Sequence, residues 1–521
     1  MGASLSVTSL RSNNAPRRKR PPIGLVLPVL LLVVLSFLPL AYVGLKAWQA
    51  GWAEALHLLW RPYVFGLLRN TLALMLGVTL ACGAIGLSLA WLLERSNLAG
   101  RRLWGVILCL PFAVPAFVSS FTWVSLSAHF EGLGGAILVM SLSKYPLIFL
   151  PVAATLRNLD PSLEESARTL GQNRWGVFFR ITLPLLWPSL LAGSLLIALH
   201  MLVEFGALSI IGLQTFTTAI YQQFELEFSN ANAAMLSAVL LMLCLALLWL
   251  ELRVRGNGRH VRTGQGAARH AEQVQLGPWA VAGQLYCLLL AIIGSGIPLG
   301  MLAYWLAVGS SAAFPMAAIG EALLSSLALS LGGAGFCLVL AVPVGLLVVR
   351  YKGRLAIWAE RLPYLLHALP GLVIALTLVY FALHYVPMLY QTSALLLIAY
   401  ALLFLPLAQA PIRTALNKAA PQLEEAARTL GASSFSAFCR VTLPIIFPAL
   451  GAAFALVFLD AMKELTATLL LSPTGLNTLA TEVWAHTANV EFAAAAPYAA
   501  LLILVSGLPV YLLTTRMYLS R

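Results

Sequence analysis

Four charged side chains interrupt long apolar runs: Glu204, Asp460, Lys463 and Glu464. Ionisable groups held in hydrocarbon are costly, which makes each a candidate for a transport path. Glu204 lies 20 residues after Pro184, and Glu464 lies 20 residues after Pro444. Asp460, Lys463 and Glu464 have i+3/i+4 spacing, so both acids can approach the lysine on a helix. Such a cluster either neutralises itself and locks helices together, or lines a path or its outer gate. Glu204 has no comparable neighbour, although His200 is one turn away. Other chemistries lack their residues. The six cysteines form no CxxC or Cys/His spacing, which points away from a metal site or disulfide framework. A P-loop needs Gly-Lys-Ser/Thr, and none of the six lysines follows a glycine. No polar cluster suited to a membrane enzyme is visible.

The elements that carry these charges are set by composition. Of 521 residues, 60% are hydrophobic and 10% charged, against roughly 45–50% and about 25% in soluble domains. That excludes a cytosolic enzyme, a disordered chain and a disulfide scaffold. A spanning helix needs ~20 apolar residues. Twelve runs qualify, near 23–45, 65–93, 103–127, 133–156, 186–212, 233–252, 279–307, 322–349, 362–385, 392–412, 446–471 and 495–516. Polar residues or glycine interrupt 117–135 and 457–475. The first run follows Arg17, Arg18, Lys19 and Arg20 and is too long for a signal-peptide core, so it reads as a retained helix. The net charge of +13 comes without a basic patch interleaved with aromatics, so no nucleic-acid partner is expected. With a cytoplasmic N-terminus, 27 of the 32 Lys and Arg fall in cytoplasmic segments, which places both termini inside. Pro115 and Pro370 are expected to kink the third and ninth spans, for gating or for packing.

The chain is also a duplication. Leu163–Leu190 matches Leu423–Leu450 nearly residue for residue, at an offset of 260. Upstream the offset is 255, where Thr71, Arg95 and Pro115 parallel Ser326, Arg350 and Pro370. TFTTAIY at 215–221 also parallels TLATEVW at 478–484. The organisation is therefore a cytoplasmic tail (1–22), a first six-helix half (23–252), a polar linker (253–276) and a second half (277–521). Six spans per half give both the same orientation, an arrangement that encloses a path between them.

The repeated loop is the most informative element. Ser162 and Glu165 have capping-box spacing, and Gly171 suits the left-handed residue that ends a helix. Glu164 and Glu424 precede Arg168 and Arg428 by four residues, the favourable orientation for a helix pair. Gln422 replaces Ser162 in the second copy, which predicts a weaker cap there. Pro184 and Pro444 are placed to open the following membrane helices.

The loop pattern E-A-A-x3-G-x9-I-x-L-P resembles the signature of ABC importer permeases. It stands here as Glu165-Ser166-Ala167, Gly171 and Ile181-Thr182-Leu183-Pro184, then as Glu425-Ala426-Ala427, Gly431 and Val441-Thr442-Leu443-Pro444. Ser166 and Val441 depart mildly from it. The resemblance implies an all-α polytopic fold of the type I importer permease class. It implies two coupling helices that seat in the ATPase, carried by Glu164, Glu165, Ala167, Gly171, Glu424, Glu425, Ala427 and Gly431. It further implies two copies of a separate cytoplasmic ATPase, an external binding protein that is periplasmic or lipid-anchored, and residence among the lipids of a bacterial inner membrane. The chain itself would bind no cofactor, ATP being held by the partners.

The fused double length, EFGALSIIGLQTFTTAIYQQF at 204–224 and FLDAMKELTATLLLSPTGLNTLATEVW at 458–484 resemble iron(III) permeases, with Thr466 departing from that group's usual Pro. Alternating access driven by ATP then follows as the expected mechanism. Thiamine, polyamine or oxyanion cargo, and an ion-gradient-driven secondary transporter, are the alternatives.

Overall fold

The computed structural model describes residues 21–50, 57, 60–225, 227, 230–255, 273–309, 314–351, 353–367 and 369–518. Residues 1–20 of the expected tail and 256–272 of the expected linker lie outside the described residues. Helices dominate the described residues, and among them the exception is one parallel β-bridge between Ser96 and Val274.

In the first half the helices are α1 (Ile23–Ala50), α2 (Pro62–Arg95), α3 (Arg101–Ile107), α4 (Ala116–Leu126), α5 (Gly132–Lys144), α6 (Pro146–Asn158) and α7 (Pro161–Thr169). They are followed by α8 (Leu183–Val203), α9 (Gly206–Ile211), α10 (Phe216–Glu225) and α11 (Asn230–Arg255). The second half opens with α12 (Trp279–Ala291) and α13 (Ile297–Val308), which make one span through a π-helical turn. It continues with α14 (Met316–Arg350), α15 (Arg354–His367), α16 (Gly371–Tyr385), α17 (Ser393–Lys418), α18 (Pro421–Thr429), α19 (Leu443–Met462), α20 (Thr466–Leu471), α21 (Leu479–Ala488) and α22 (Phe492–Tyr518).

Nine helices among the described residues are long and apolar enough to cross a bilayer. Two more spans are bent pairs, by 86° between the α3 segment and α4 and by 111° between α15 and α16. The apolar α22 falls on the twelfth expected run. Pro115 and Pro370 sit at the two bends, each as the residue before the second helix. Each span is thus fully broken there, where the sequence suggested only a kink. Proline has no N–H to continue the first helix and disfavours helical backbone in the residue before it.

The runs at 186–212 and 446–471 are also broken. α8 stops at Val203 and α9 restarts at Gly206; α19 stops at Met462 and α20 restarts at Thr466. Each break frees backbone N–H groups, and a half-buried acid takes one of them, as described below. The helices entering these spans start earlier than Pro184 and Pro444 suggested. They run from Arg174 and Ser434 through π-helical turns, Phe178–Thr182 and Phe438–Thr442. An α-turn would drive each proline ring into the carbonyl four residues back, and the wider turn relieves that clash.

The halves interlock. α1 packs against α14, α15 and α16 of the other half, with Phe37 on Trp358 and Tyr42 on Tyr380. α13 packs against α4, where Trp305 Nε1 donates to Ser125 Oγ at 3.0 Å. Close approach within a half uses small residues, as membrane packing requires. A Cβ on Gly86 would meet Ile148 Cγ2 at 2.9 Å, and one on Gly193 would meet Ile148 Cγ1 at 2.9 Å. Duplication extends to single hydrogen bonds. Thr71 accepts from Phe216 N in the first half, and Ser326 accepts from Leu479 N in the second.

Candidate functional site

The repeat builds two kinds of site: a pair of loop clamps, and one chamber between the halves. Each clamp starts at a loop helix, α7 or α18. Asp160 caps α7 through Ser162 N at 3.0 Å, with Pro161 as its first residue. The capping box expected from Ser162 and Glu165 does not form, because the helix begins earlier and Glu165 lies beyond its first turn. Ala420 starts α18 without a side-chain cap. Gly171 and Gly431 adopt φ of 82° and 92°, the left-handed geometry expected of them. Glu165 and Glu425 are exposed, Ala167 is buried and Ala427 half-buried.

Glu164 and Glu424 do not reach four residues along their own helices to Arg168 and Arg428. They turn to the ends of α2 and α14. Arg350 donates to both oxygens of Glu424, at 2.6 and 2.7 Å, and Thr442 donates to the same carboxylate. Arg95 Nη2 lies 3.2 Å from Glu164 Oε1, and Thr182 donates to Glu164 at 2.9 Å. The contacts across the span end win because they are half-buried, where charge pairs are screened less than on the exposed helix face. Burial alone would raise the Glu424 carboxyl. Hydrogen bonds from Arg350 and Thr442, with the Arg350 and Arg428 charges, outweigh that and hold it below its ordinary value. The sequence signal for these partners was present in the parallel between Arg95 and Arg350.

Apolar side chains stand out beside both clamps. Leu170 and Leu430 are 82% and 89% exposed, and their neighbours Trp175 and Phe435 are 71% and 78% exposed. These too are repeat equivalents. Large apolar groups clustered in exposed, otherwise polar loops mark a surface that meets another protein.

The chamber is a half-open cavity of about 270 Å³ between the halves, well above the ~30 Å³ share of one liquid water. It brings together all four intramembrane candidates, Glu204, Asp460, Lys463 and Glu464, and its wall includes Pro115 and the Pro370 bend at Leu369 and Gly371. It adds Lys144, His200 and His367. Lys144 and His367 were missed as candidates, because each sits alone in its run and only tertiary packing joins them. The wall is two-fold in position: Glu204 faces in with Glu464, Phe112 with His367, Lys144 with Phe404, and His200 with Asp460. Only the first of these pairs keeps the same charge.

Glu204 Oε1 accepts from Ala207 N at 3.2 Å, and Glu464 Oε1 accepts from Ala467 N at 2.9 Å. The acids thereby cap the short helices after each break. Among the described residues neither Lys463 nor Lys144 makes an ion pair within 4 Å. His200 bonds to Leu196 O at 2.8 Å and leaves Glu204 to Ala207. Among the described residues, no three His, Cys, Asp or Glu side chains are gathered as a metal-ligand set.

The two breaks meet at the chamber's edge. A Cβ on Gly206 would lie 2.7 Å from Leu465 Cδ2 of the other half and 3.3 Å from Phe117 Cβ. Phe205, Tyr221 and Trp484 cluster beside them across the halves, tilted or edge-on to one another, with centroids 4.8 to 6.5 Å apart. This seal lies at the far ends of α8 and α19 from the clamps.

An all-α bundle in two interlocked repeats, with paired loop helices and a polar chamber between them, defines a multi-pass transport permease. The chain belongs to the binding-protein-dependent transport system inner membrane component family, whose model matches residues 83–253 and 338–518, once in each half. It is 44% identical over 499 residues to the Fe(3+)-transport system permease protein FbpB 2 of Haemophilus influenzae, covering 95% of this chain and 98% of that protein. It is 30% identical over 264 residues to the sulfate transport system permease protein CysT of Escherichia coli, covering 46% of this chain and 95% of that one. It is 33% identical over 198 residues to the molybdenum transport system permease protein ModB of Haemophilus influenzae, covering 33% of this chain and 86% of that one.

Proposed function

We propose that this permease imports ferric iron by alternating access, driven by two copies of a separate cytoplasmic ATPase and supplied by a periplasmic or lipid-anchored binding protein. It holds no cofactor of its own; ATP sits on the ATPases. It lies in a bacterial inner membrane with both termini cytoplasmic. The observation that carries the cargo is the near full-length likeness to an iron(III) permease, through both halves and the linker.

The geometry supports the mechanism in three places. The loop helices α7 and α18 offer Glu165, Glu425 and exposed apolar neighbours to an ATPase, while Glu164 and Glu424 tie them to α2 and α14. A push on either loop is thus delivered to a spanning helix. The chamber, with Glu204, Glu464, Asp460 and Lys463 on its wall, is the path in its closed form. The contact of Gly206 with Leu465 and Phe117, with the aromatic cluster beside it, is the outer gate. The bends at Pro115 and Pro370 border the same chamber, as hinges would.

Uptake of labelled ferric iron tests this, in cells with and without the chain and with the ATPase present in both. Loss on deletion, restored by the wild-type chain and not by a Glu165→Arg/Glu425→Arg variant, supports cargo and coupling. Unchanged uptake in cells without a redundant iron system sinks the cargo. One second reading has a specific observation behind it. The sulfate and molybdenum permeases each match less than half of this chain, and two lysines line the chamber. Sulfate or molybdate uptake in the same cells would then replace iron uptake.

A further inference from the structure

The two chamber acids are repeat equivalents held by different elements. Glu204 stands at the break after α8, and its main-chain carbonyl accepts from Thr217 Oγ1 of α10 at 2.6 Å. Thr217 is 2% exposed. Its one hydroxyl proton goes to Glu204, so Thr215 Oγ1, 3.1 Å away, donates to it in turn. One turn further along α10, Tyr221 packs against Phe205, the residue after Glu204, with centroids 4.8 Å apart. The break that carries Glu204 is therefore fastened to α10 at two points.

Glu464 is fastened elsewhere. Its main-chain carbonyl accepts from Thr468 Oγ1 of α20 at 2.9 Å, and the Tyr400 hydroxyl of α17 donates to Thr468 Oγ1 at 2.8 Å. The difference lies in residue types. Thr217 stands opposite Ala480 in the repeat, Thr468 opposite Leu208, and Tyr400 opposite Met140. Ala480 and Leu208 have no hydroxyl, so neither half can copy the other's bond. α10 and α21 otherwise begin alike: Thr218 Oγ1 accepts from Thr215 N and Thr481 Oγ1 from Thr478 N, both at 2.8 Å.

We propose that Thr217 is a positioning residue that carries Glu204 with the outer gate, whereas Glu464 stays with α17 and α20. This rests on the path and the gate given above. α10 and α21 meet across the gate through Tyr221 and Trp484, with centroids 5.7 Å apart. When these part, α10 draws the Glu204 break towards the mouth. Glu204 then meets the incoming ferric ion first, and closure returns it to the wall where Glu464 has remained. The physical basis is that coupling travels through contiguous bonded elements, here a hydroxyl and a ring contact on one helix.

The test uses the full chain with its ATPase and binding protein in liposomes, and reads the rate of ATP-driven ferric iron import. Thr217→Val keeps the branched shape and removes the donor; it is expected to lower the rate about fivefold, the size of a typical change on a coupling path. Thr217→Ser keeps the donor and should import as wild type does. In a Glu204→Gln background Thr217→Val should add no further loss, because the bond then positions a side chain that no longer ionises. In a Glu464→Gln background it should add the same fivefold, as independent sites do. If Thr217→Val does not accumulate in the membrane, Thr217→Ala takes its place, alanine being what the second half carries there. Equal added losses in the two backgrounds overturn the inference, since a merely structural role gives that result. So does an unchanged rate for the variant in the wild-type background. A wild-type complex that imports iron without ATP overturns the proposed function instead, and the inference with it.

Discussion

Arg350 and Glu424 are 74 residues apart in sequence and joined by two hydrogen bonds of 2.6 and 2.7 Å, tying a loop helix to the end of a spanning helix. Because this pair holds the Glu424 carboxyl below its ordinary value of 4.5, its contribution is full above that value. It is lost as pH falls through the lower folded value. The thermal midpoint of the purified protein should therefore exceed that of Glu424→Gln at neutral pH, and the gap should close only in acid, below about pH 4.5. A gap that closes between pH 6 and 8, roughly where histidine titrates, would contradict this account of the clamp.

Gly171 and Gly431 end the loop helices at φ of 82° and 92°. Any side chain other than a short polar one is strained there, by roughly 1–2 kcal/mol. Gly171→Val and Gly431→Val should lower ATP-driven uptake while membrane levels stay near wild type. Gly171→Asn and Gly431→Asn should be milder. Uptake by cells matched for membrane level checks both, and unaffected Val variants would refute the turn's importance.

Glu204 and Glu464 each combine an ionisable carboxyl with a cap on the next helix. Glutamine keeps an oxygen for Ala207 or Ala467 N and removes the ionisable group. Glu204→Gln and Glu464→Gln should thus keep the thermal midpoint and cut uptake, about tenfold or more for the pair. Glu204→Ala and Glu464→Ala should lower the midpoint too, by the loss of a cap worth about 1 kcal/mol. Normal uptake by both glutamine variants would remove the acids from the path.

A side chain at Gly206 would press on Leu465 Cδ2 and Phe117 Cβ. Gly206→Val should wedge the two breaks apart and raise ATP hydrolysis in the absence of binding protein, as should Phe205→Ala by loosening the aromatic cluster. Hydrolysis by the purified complex without binding protein measures this. Wild-type rates in both variants would mean that the contact is packing and not a gate.

Much of this was legible in the residues. Apolar runs of sufficient length located the spans, and the 255 and 260 offsets located the repeat. They also paired Arg95 with Arg350 and Glu204 with Glu464. Gly171 and Gly431 could be assigned their backbone because a helix end leaves few options. What was not legible came from tertiary competition. Glu164 has Arg168 at a favourable local spacing, yet a partner 69 residues away in sequence takes it, since the end of α2 offers a drier site. Asp160 displaces Ser162 as cap because Pro161 is suited to the first helical position. Lys144 and His367 enter the chamber only through the crossing of the two halves, which no local pattern records. The π-helical turns before Pro184 and Pro444 leave no mark in hydrophobic periodicity.

The most direct test of the central claim is ferric iron accumulation in liposomes carrying this permease with its ATPase, and with binding protein outside. Accumulation that requires ATP, and that falls about tenfold when Glu165 and Glu425 are both changed to arginine, is what two coupled loops predict. Accumulation that proceeds without ATP, or that ignores both substitutions, would contradict the account.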